Sequence, residues 1–254
     1  MKKTSILSAG LISLSVALTL GFSACGVSVD TNPAYSTGDS ASTQQAFSDF
    51  SEIEISTNAE VILTQDASYN VSIEGEKKVT DKIKIKQEGD RLIIEDKSTS
   101  GSIFSFSTGH EGKVKIYISL PVLSNLEVSG AAKIRTSNAF KQSQALSFDF
   151  SGASDAKIEV DVPELRIESS GASNLSLTGK TASLSLNQSG AGSVDAFNLE
   201  ADSVSLDLSG ASSVSVNAKA ALNVELSGLG SVKYKGNPTL TQNISGAGSI
   251  KKVE

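Results

Sequence analysis

The chain has 254 residues, 39% of them hydrophobic, with no tryptophan and a single cysteine. One cysteine excludes an intrachain disulfide and dithiol chemistry, and a formal net charge of −6 argues against nucleic acid as a partner. Removing Lys2 and Lys3 with a leader leaves 20 basic against 28 acidic residues, a net charge of −8 that sharpens the argument.

Met1-Lys2-Lys3 is a short positive segment, Ile6 to Phe22 is apolar, and Phe22-Ser23-Ala24 leads into Cys25. This is the layout of a secretory signal. The position of the cysteine resembles a bacterial lipobox, so residues 1–24 are expected to be a lipoprotein signal peptide and Cys25 the acylated first residue of the mature chain. No later apolar run approaches the roughly 20 residues of a spanning helix. The expected membrane partner is therefore reached through the N-terminal lipid, which places the protein in the cell envelope, at the outer membrane. Residues 25–46 are small and polar without any period, the composition of a flexible tether.

From Phe47 the pattern becomes strand-like. Ile53 and Ile55 alternate with Glu52 and Glu54, followed by Val71 and Ile73, Ile83 and Ile85, Leu92 to Ile94, and Val114, Ile116 and Ile118. Residues 98–112 (STSGSIFSFSTGHEG) break this alternation and are expected to be an inserted loop. Ile103, Phe104 and Phe106 give it an apolar contact patch, suited either to a partner or to capping the domain. Residues 47–120 thus form an irregular N-terminal portion of a domain that continues to residue 254.

In residues 121–254 a short phrase recurs seven times, centred on Gly130, Gly152, Gly171, Gly190, Gly210, Gly228 and Gly246. Six copies read Ser-Gly-Ala and one reads Ser227-Gly228-Leu229; the steps between glycines are 22, 19, 19, 20, 18 and 18 residues. A fixed period near 20 marks a solenoid. Six residues before the glycines stand Ser124, Leu146, Leu165, Leu184, Val204, Leu222 and Leu240; four after stand Ile134, Ala156, Leu175, Val194, Val214, Val232 and Ile250. Each repeat reads as an alternating strand, a tight turn in which glycine supplies the unusual dihedrals, and a second strand. Because the same turn recurs once per coil, copies should stack as parallel strands rather than alternate as hairpins. The fold class is all-β: a right-handed parallel β-helix with about 18–22 residues per coil.

Three residues before each glycine the column reads Glu127, Asp149, Glu168, Asn187, Asp207, Glu225 and Asn243. In a stacked coil these form one outward ladder with neighbours about 5 Å apart. It would serve either to bind a glycan or cation through carboxylate oxygens or simply to keep the outer face solvated. The recurrent serines (Ser129, Ser151, Ser170, Ser189, Ser209, Ser227 and Ser245) suit a hydrogen-bonded corner better than catalysis, since His110, the one histidine, lies in the irregular loop. No catalytic residue, metal site or cofactor is expected.

The entry segment Phe50-Ser51-Glu52-Ile53-Glu54-Ile55, the strands Val61-Ile62-Leu63-Thr64-Gln65 and Val71-Ser72-Ile73-Glu74-Gly75, and the Ser-Gly-Ala turns resemble the head GIN domain family of adhesin-type lipoproteins from Bacteroidetes-type bacteria. The resemblance covers residues 47–252 and implies a β-helical fold with an adhesive role and no catalytic residues; the first expectation is a non-catalytic binding module that engages a glycan or an envelope protein. An envelope polysaccharide lyase or hydrolase, or a homo-oligomeric scaffold, are the alternatives left by the residues alone.

Overall fold

The computed structural model describes residues 40–97 and 114–254. Cys25, Ile103, Phe104, Phe106 and His110 therefore lie outside the described residues. Among the described residues seventeen strands join one continuous sheet system, with one short helix, α1 (Lys77–Thr80). In chain order the strands are β1 (Ser40–Gln45), β2 (Glu52–Ser56), β3 (Glu60–Gln65), β4 (Asn70–Glu76), β5 (Ile83–Glu88), β6 (Arg91–Asp96), β7 (Lys115–Leu120), β8 (Asn125–Val128) and β9 (Lys133–Thr136). They continue as β10 (Phe140–Lys141), β11 (Leu146–Phe150), β12 (Asp155–Ser169), β13 (Asn174–Gln188), β14 (Ala191–Gly228), β15 (Ser231–Lys235), β16 (Thr239–Gly246) and β17 (Ser249–Lys252).

The repeats stack as a parallel β-solenoid. Leu146 pairs with Leu165, Leu165 with Leu184 and Leu184 with Val204, and beyond the corner Ile134 pairs with Ala156, Ala156 with Leu175 and Leu175 with Val194. Inward positions of one coil therefore sit on the same positions of the coil beneath, interrupted by a one-residue register shift between Ser176 and Thr178 where β13 meets β14. Alternation does the sorting: Leu165, Ile167 and Ser169 of β12 are buried, and Arg166 and Glu168 between them are exposed. Proline marks the opposite corner. Pro163 is skipped by the β12–β13 register, between Val162↔Thr181 and Glu164↔Ser183, where its missing N–H leaves no gap in the ladder.

The N-terminal part does not stack in chain order. β2 and β3 lie directly beneath β8 and β9, with Glu52 opposite Asn125 and Glu60 opposite Lys133. The intervening chain turns outward and passes beneath its own first coil, so β6 pairs in parallel with β2 and β7 with β3. Three antiparallel strands then close this end: β5 on β6, β4 on β7 and β1 on β4. Ser40–Gln45, expected to belong to a tether, instead pair with Glu76–Val71 and belong to the same compact unit as the solenoid. Neutral Ser, Thr and Gln carry no pattern of their own, so only an available sheet edge recruits them. β6 ends and β7 begins beneath the corner that holds Thr57-Asn58-Ala59.

The corner glycines meet a constraint that differs in kind from the one expected. Gly130, Gly152, Gly171 and Gly190 do not have positive φ; only Gly210, Gly228 and Gly246 do, at 115°, 131° and 132°. What all seven share is closeness to the coil beneath. A Cβ on Gly171 would fall inside the carbonyl oxygen of Gly152, and one on Gly190 inside that of Gly171. Each corner thus rests on the backbone of the previous corner, and the amide of Ala172 donates to the Gly152 carbonyl at 3.1 Å.

Inside this corner the packing is partly polar. The inward column two residues before the glycines runs Val128, Phe150, Ser169, Gln188, Leu208, Leu226 and Ile244, and its first six members are buried. The column two after them runs Ala132, Ser154, Ser173, Gly192, Ser212, Gly230 and Gly248. Large and small residues compensate across the corner: Leu226 fills the room left by Gly230 and Gly248, and the Gln188 amide lies 3.1 Å from where a Gly192 side chain would start. The Ser154 and Ser173 hydroxyls donate to the carbonyls of Gly130 and Gly152 at 3.1 and 3.3 Å. The serines before the glycines were expected to fill that role; their outward direction sends their hydroxyls to solvent instead. The side chains of Ser169, Gln188 and Ser212 are buried with no hydrogen-bond partner.

Gly171→Ala is expected to cost about 3 kcal/mol through backbone overlap, measured as a lower urea midpoint. Gly89→Ala, with φ of 65° but no atom within 4 Å of the added carbon, should cost only about 1 kcal/mol. Gln188→Leu should raise stability by about 1–2 kcal/mol, because it removes a buried amide without partners at nearly constant volume; a lower midpoint for this variant would show that the amide is satisfied.

Candidate binding face

The outward column forms a ladder from Glu54 to Asp207, and a further pair joins Glu225 to Asn243. Glu54 pairs with Glu127, Glu127 with Asp149, Asp149 with Glu168, Glu168 with Asn187, Asn187 with Asp207, and Glu225 with Asn243. Glu54 extends the ladder beyond the seven repeats. Only the out-of-order stacking of β2 brings it there, so no spacing in the sequence announces it.

The ladder is electrostatically uneven. At its N-terminal end the Arg91 guanidinium lies 2.9 Å from Glu52, 3.3 Å from Glu54 and 3.6 Å from Glu127. The hydrogen bond it donates to the Glu52 carboxylate is the main reason its pKa is raised, with the charge of the neighbouring glutamates adding to it. Asp149, Glu168, Asp207 and Glu225 have no ion-pair partner among the described residues. They stand between a column that runs Ser147, Arg166, Ser185 and Ser205 on one side, in which Arg166 is paired with Glu164, and Ser151, Ser170, Ser189 and Ser209 on the other. A shallow cleft of about 320 Å³ opens on this face, lined by Asp149, Glu168, Asn187, Asp207, Ser170 and Ser189.

A second groove, of about 560 Å³, lies on the strands that follow the corner. Its walls include Lys133, Arg135, Lys157, Asp155, Asn174 and Asp195. Here side chains are linked from coil to coil: the Ser193 hydroxyl bonds Asn174 at 2.8 Å, the Asn174 amide donates to Asp155 at 3.1 Å, and Arg135 donates to Glu60 at 2.9 Å. These residues were not among the sequence candidates. The column three after each glycine (Lys133, Asp155, Asn174, Ser193) carries the signal, but its chemistry changes at every step and so does not look like a ladder.

Both faces offer rows of hydroxyl, amide and carboxylate groups at the strand spacing, an arrangement that can hydrogen-bond an extended polar ligand. Among the described residues no three acidic, histidine or cysteine side chains converge to hold a metal ion, and no helix is long and apolar enough to cross a membrane.

Residues 49–238 match the model of a protein family described as "Putative auto-transporter adhesin, head GIN domain". The solved structures that resemble the chain include a "putative adhesin" from Bacteroides fragilis, at 23% identity and a TM-score of 0.76, over 84% of this chain and 97% of that one. A "putative lipid binding protein" from Parabacteroides distasonis matches at 20% identity and a TM-score of 0.66, over 86% and 98% of the two chains. A "putative adhesin" from Parabacteroides merdae matches at 16% identity and 0.58, over 86% and 98%. At these identities the structural matches establish the fold. No curated protein matches the chain.

The unpaired part of the ladder should be self-repelling. Asp149→Asn, Glu168→Gln and Asp207→Asn together are expected to raise the melting temperature at low salt by the equivalent of about 0.5–1 kcal/mol. The gain should shrink as salt screens the repulsion, which thermal melts at two ionic strengths would read.

Proposed function

Since the chain belongs to the head GIN domain family of auto-transporter adhesins, we propose that it is a non-catalytic adhesion module of the cell envelope. It is held at the outer membrane by lipid on Cys25 and engages a glycan through its repeating polar face. The carrying observation is the in-register row from Glu127 to Asn243, whose middle carboxylates are left without cationic partners and open onto a cleft. Carboxylate and hydroxyl groups repeated at the strand spacing suit a polymer of sugar hydroxyls, which offers donors at regular intervals. The regularity itself supports binding over catalysis. An active site concentrates an acid and a base in one strained place, whereas this face repeats the same chemistry from coil to coil. A protein partner would use the same exposed surface.

The test is a glycan-array and calcium-titration screen on the compact unit from Thr37 to Glu254. The triple variant Asp149→Asn, Glu168→Gln, Asp207→Asn should lose at least about tenfold in affinity, the equivalent of one or two hydrogen bonds to charged groups. A Lys133→Ala, Lys157→Ala variant, altered only in the second groove, should bind as the parent does. The reverse outcome would move the site to that groove.

A further inference from the structure

The two ends of the solenoid differ. The N-terminal end is closed by the antiparallel strands β5, β4 and β1. At the other end β16 pairs with β14 and β17 with β15, and among the described residues no further strand pairs with their outer edges. Here the inward residues come to the surface. Leu240 and Ile250 are only half-buried, Ile244 is 39% exposed, and Leu229 is 70% exposed. Leu229 and Ile244 are the only large apolar side chains exposed among the described residues. Leu229 stands in the corner column where the other six repeats have alanine, and its neighbour in the next coil is Ala247.

This same end reverses the charge of the protein. Residues 229–254 carry Lys233, Lys235, Lys251 and Lys252 against one acid, Glu254, in a chain whose net charge is −6. Lys233 and Lys251 are register partners on adjacent coils, as are Tyr234 and Lys252. None of the four makes an ion pair among the described residues. Lys252 donates to Asn237 at 2.6 Å, and Lys235 lies over the Phe197 ring at 4.9 Å. Lysines on an edge strand do discourage strand pairing between copies. That role accounts for Lys251 and Lys252, but not for Lys233 one coil further in, nor for a leucine displayed at the corner. Two copies meeting end to end about a two-fold axis would also bring the lysines of one against those of the other.

We propose that this end is a docking surface for an anionic lipid bilayer. The lysines would lie against the headgroups while Leu229 and Ile244 enter the boundary with the acyl chains. Basic residues beside exposed aliphatic ones are the combination that binds a charged interface without spanning it. The surface lies at the opposite end of the stack from β1, where the chain enters the domain.

The test uses the mature chain from residue 25 with Cys25→Ser, so that no acyl chain contributes. Its co-sedimentation is measured with vesicles of phosphatidylcholine containing phosphatidylglycerol and with vesicles of phosphatidylcholine alone. Binding is expected to the anionic vesicles only, and to weaken with salt. Lys233→Gln, Lys251→Gln and Lys252→Gln together should weaken it about 100-fold, at roughly fivefold per lysine. Leu229→Ser with Ile244→Asn should weaken it while leaving the salt dependence in place. The ladder variant Asp149→Asn, Glu168→Gln, Asp207→Asn should not weaken it. Circular dichroism of each variant verifies that the solenoid is intact. Absence of binding, equal binding to both vesicle types, or anionic binding untouched by the lysine substitutions would overturn the proposal, as would concentration-dependent dimers that bury this end in place of vesicle binding.

Discussion

The structure depends on the contact between one coil's corner and the backbone of the corner beneath. Parallel strands stack at a spacing of about 4.8 Å only if nothing stands between them. At a sharp corner the carbonyl of one coil points toward the α-carbon of the next. Gly152, Gly171 and Gly190 remove the side chain that would collide there. From that one allowance the rest follows. Coils remain in register, inward columns of leucine, isoleucine, valine and phenylalanine pack on themselves, and outward columns align identical chemistry along the stack. A side chain at one corner would tilt two coils, and the misfit would pass to every column they share.

Register has a consequence on each face. Inside, the stacked column tolerates Ser169 and Gln188 between Phe150 and Leu208, because the facing column shrinks to Gly192 where the glutamine enters. Outside, the same stacking forces carboxylates of successive coils together. Arg91 neutralises them at one end, where the chain folds back beneath its first coil, and asparagine interrupts them at positions 187 and 243. The middle of the ladder keeps Asp149, Glu168 and Asp207 without an ion-pair partner among the described residues.

The two ends of the stack solve the problem of an exposed sheet edge differently. Antiparallel strands cover the first end, using chain that has no repeat of its own. The second end stays open and carries lysines in a protein that is otherwise acidic. The acidic ladder runs between an end closed by antiparallel strands and an end that exposes a basic, partly apolar surface.

The sequence by itself determined the regular half of the molecule. A period of 18–22 residues and alternating apolar columns dictate stacked parallel coils, since only in-register copies bury those columns together. The ladder from Glu127 to Asn243 was legible for the same reason: equal spacing from a fixed turn places residues in one row. Tertiary structure alone decided what has no period. It placed β6 and β7 beneath β2 and β3, brought Glu54 and Arg91 to the ladder, and recruited Ser40–Gln45 to an edge. It also decided why glycine is required at the corners. Dihedral freedom can be guessed from a turn, but closeness to a neighbouring backbone exists only once the neighbour is in place, because that contact joins residues about 20 positions apart.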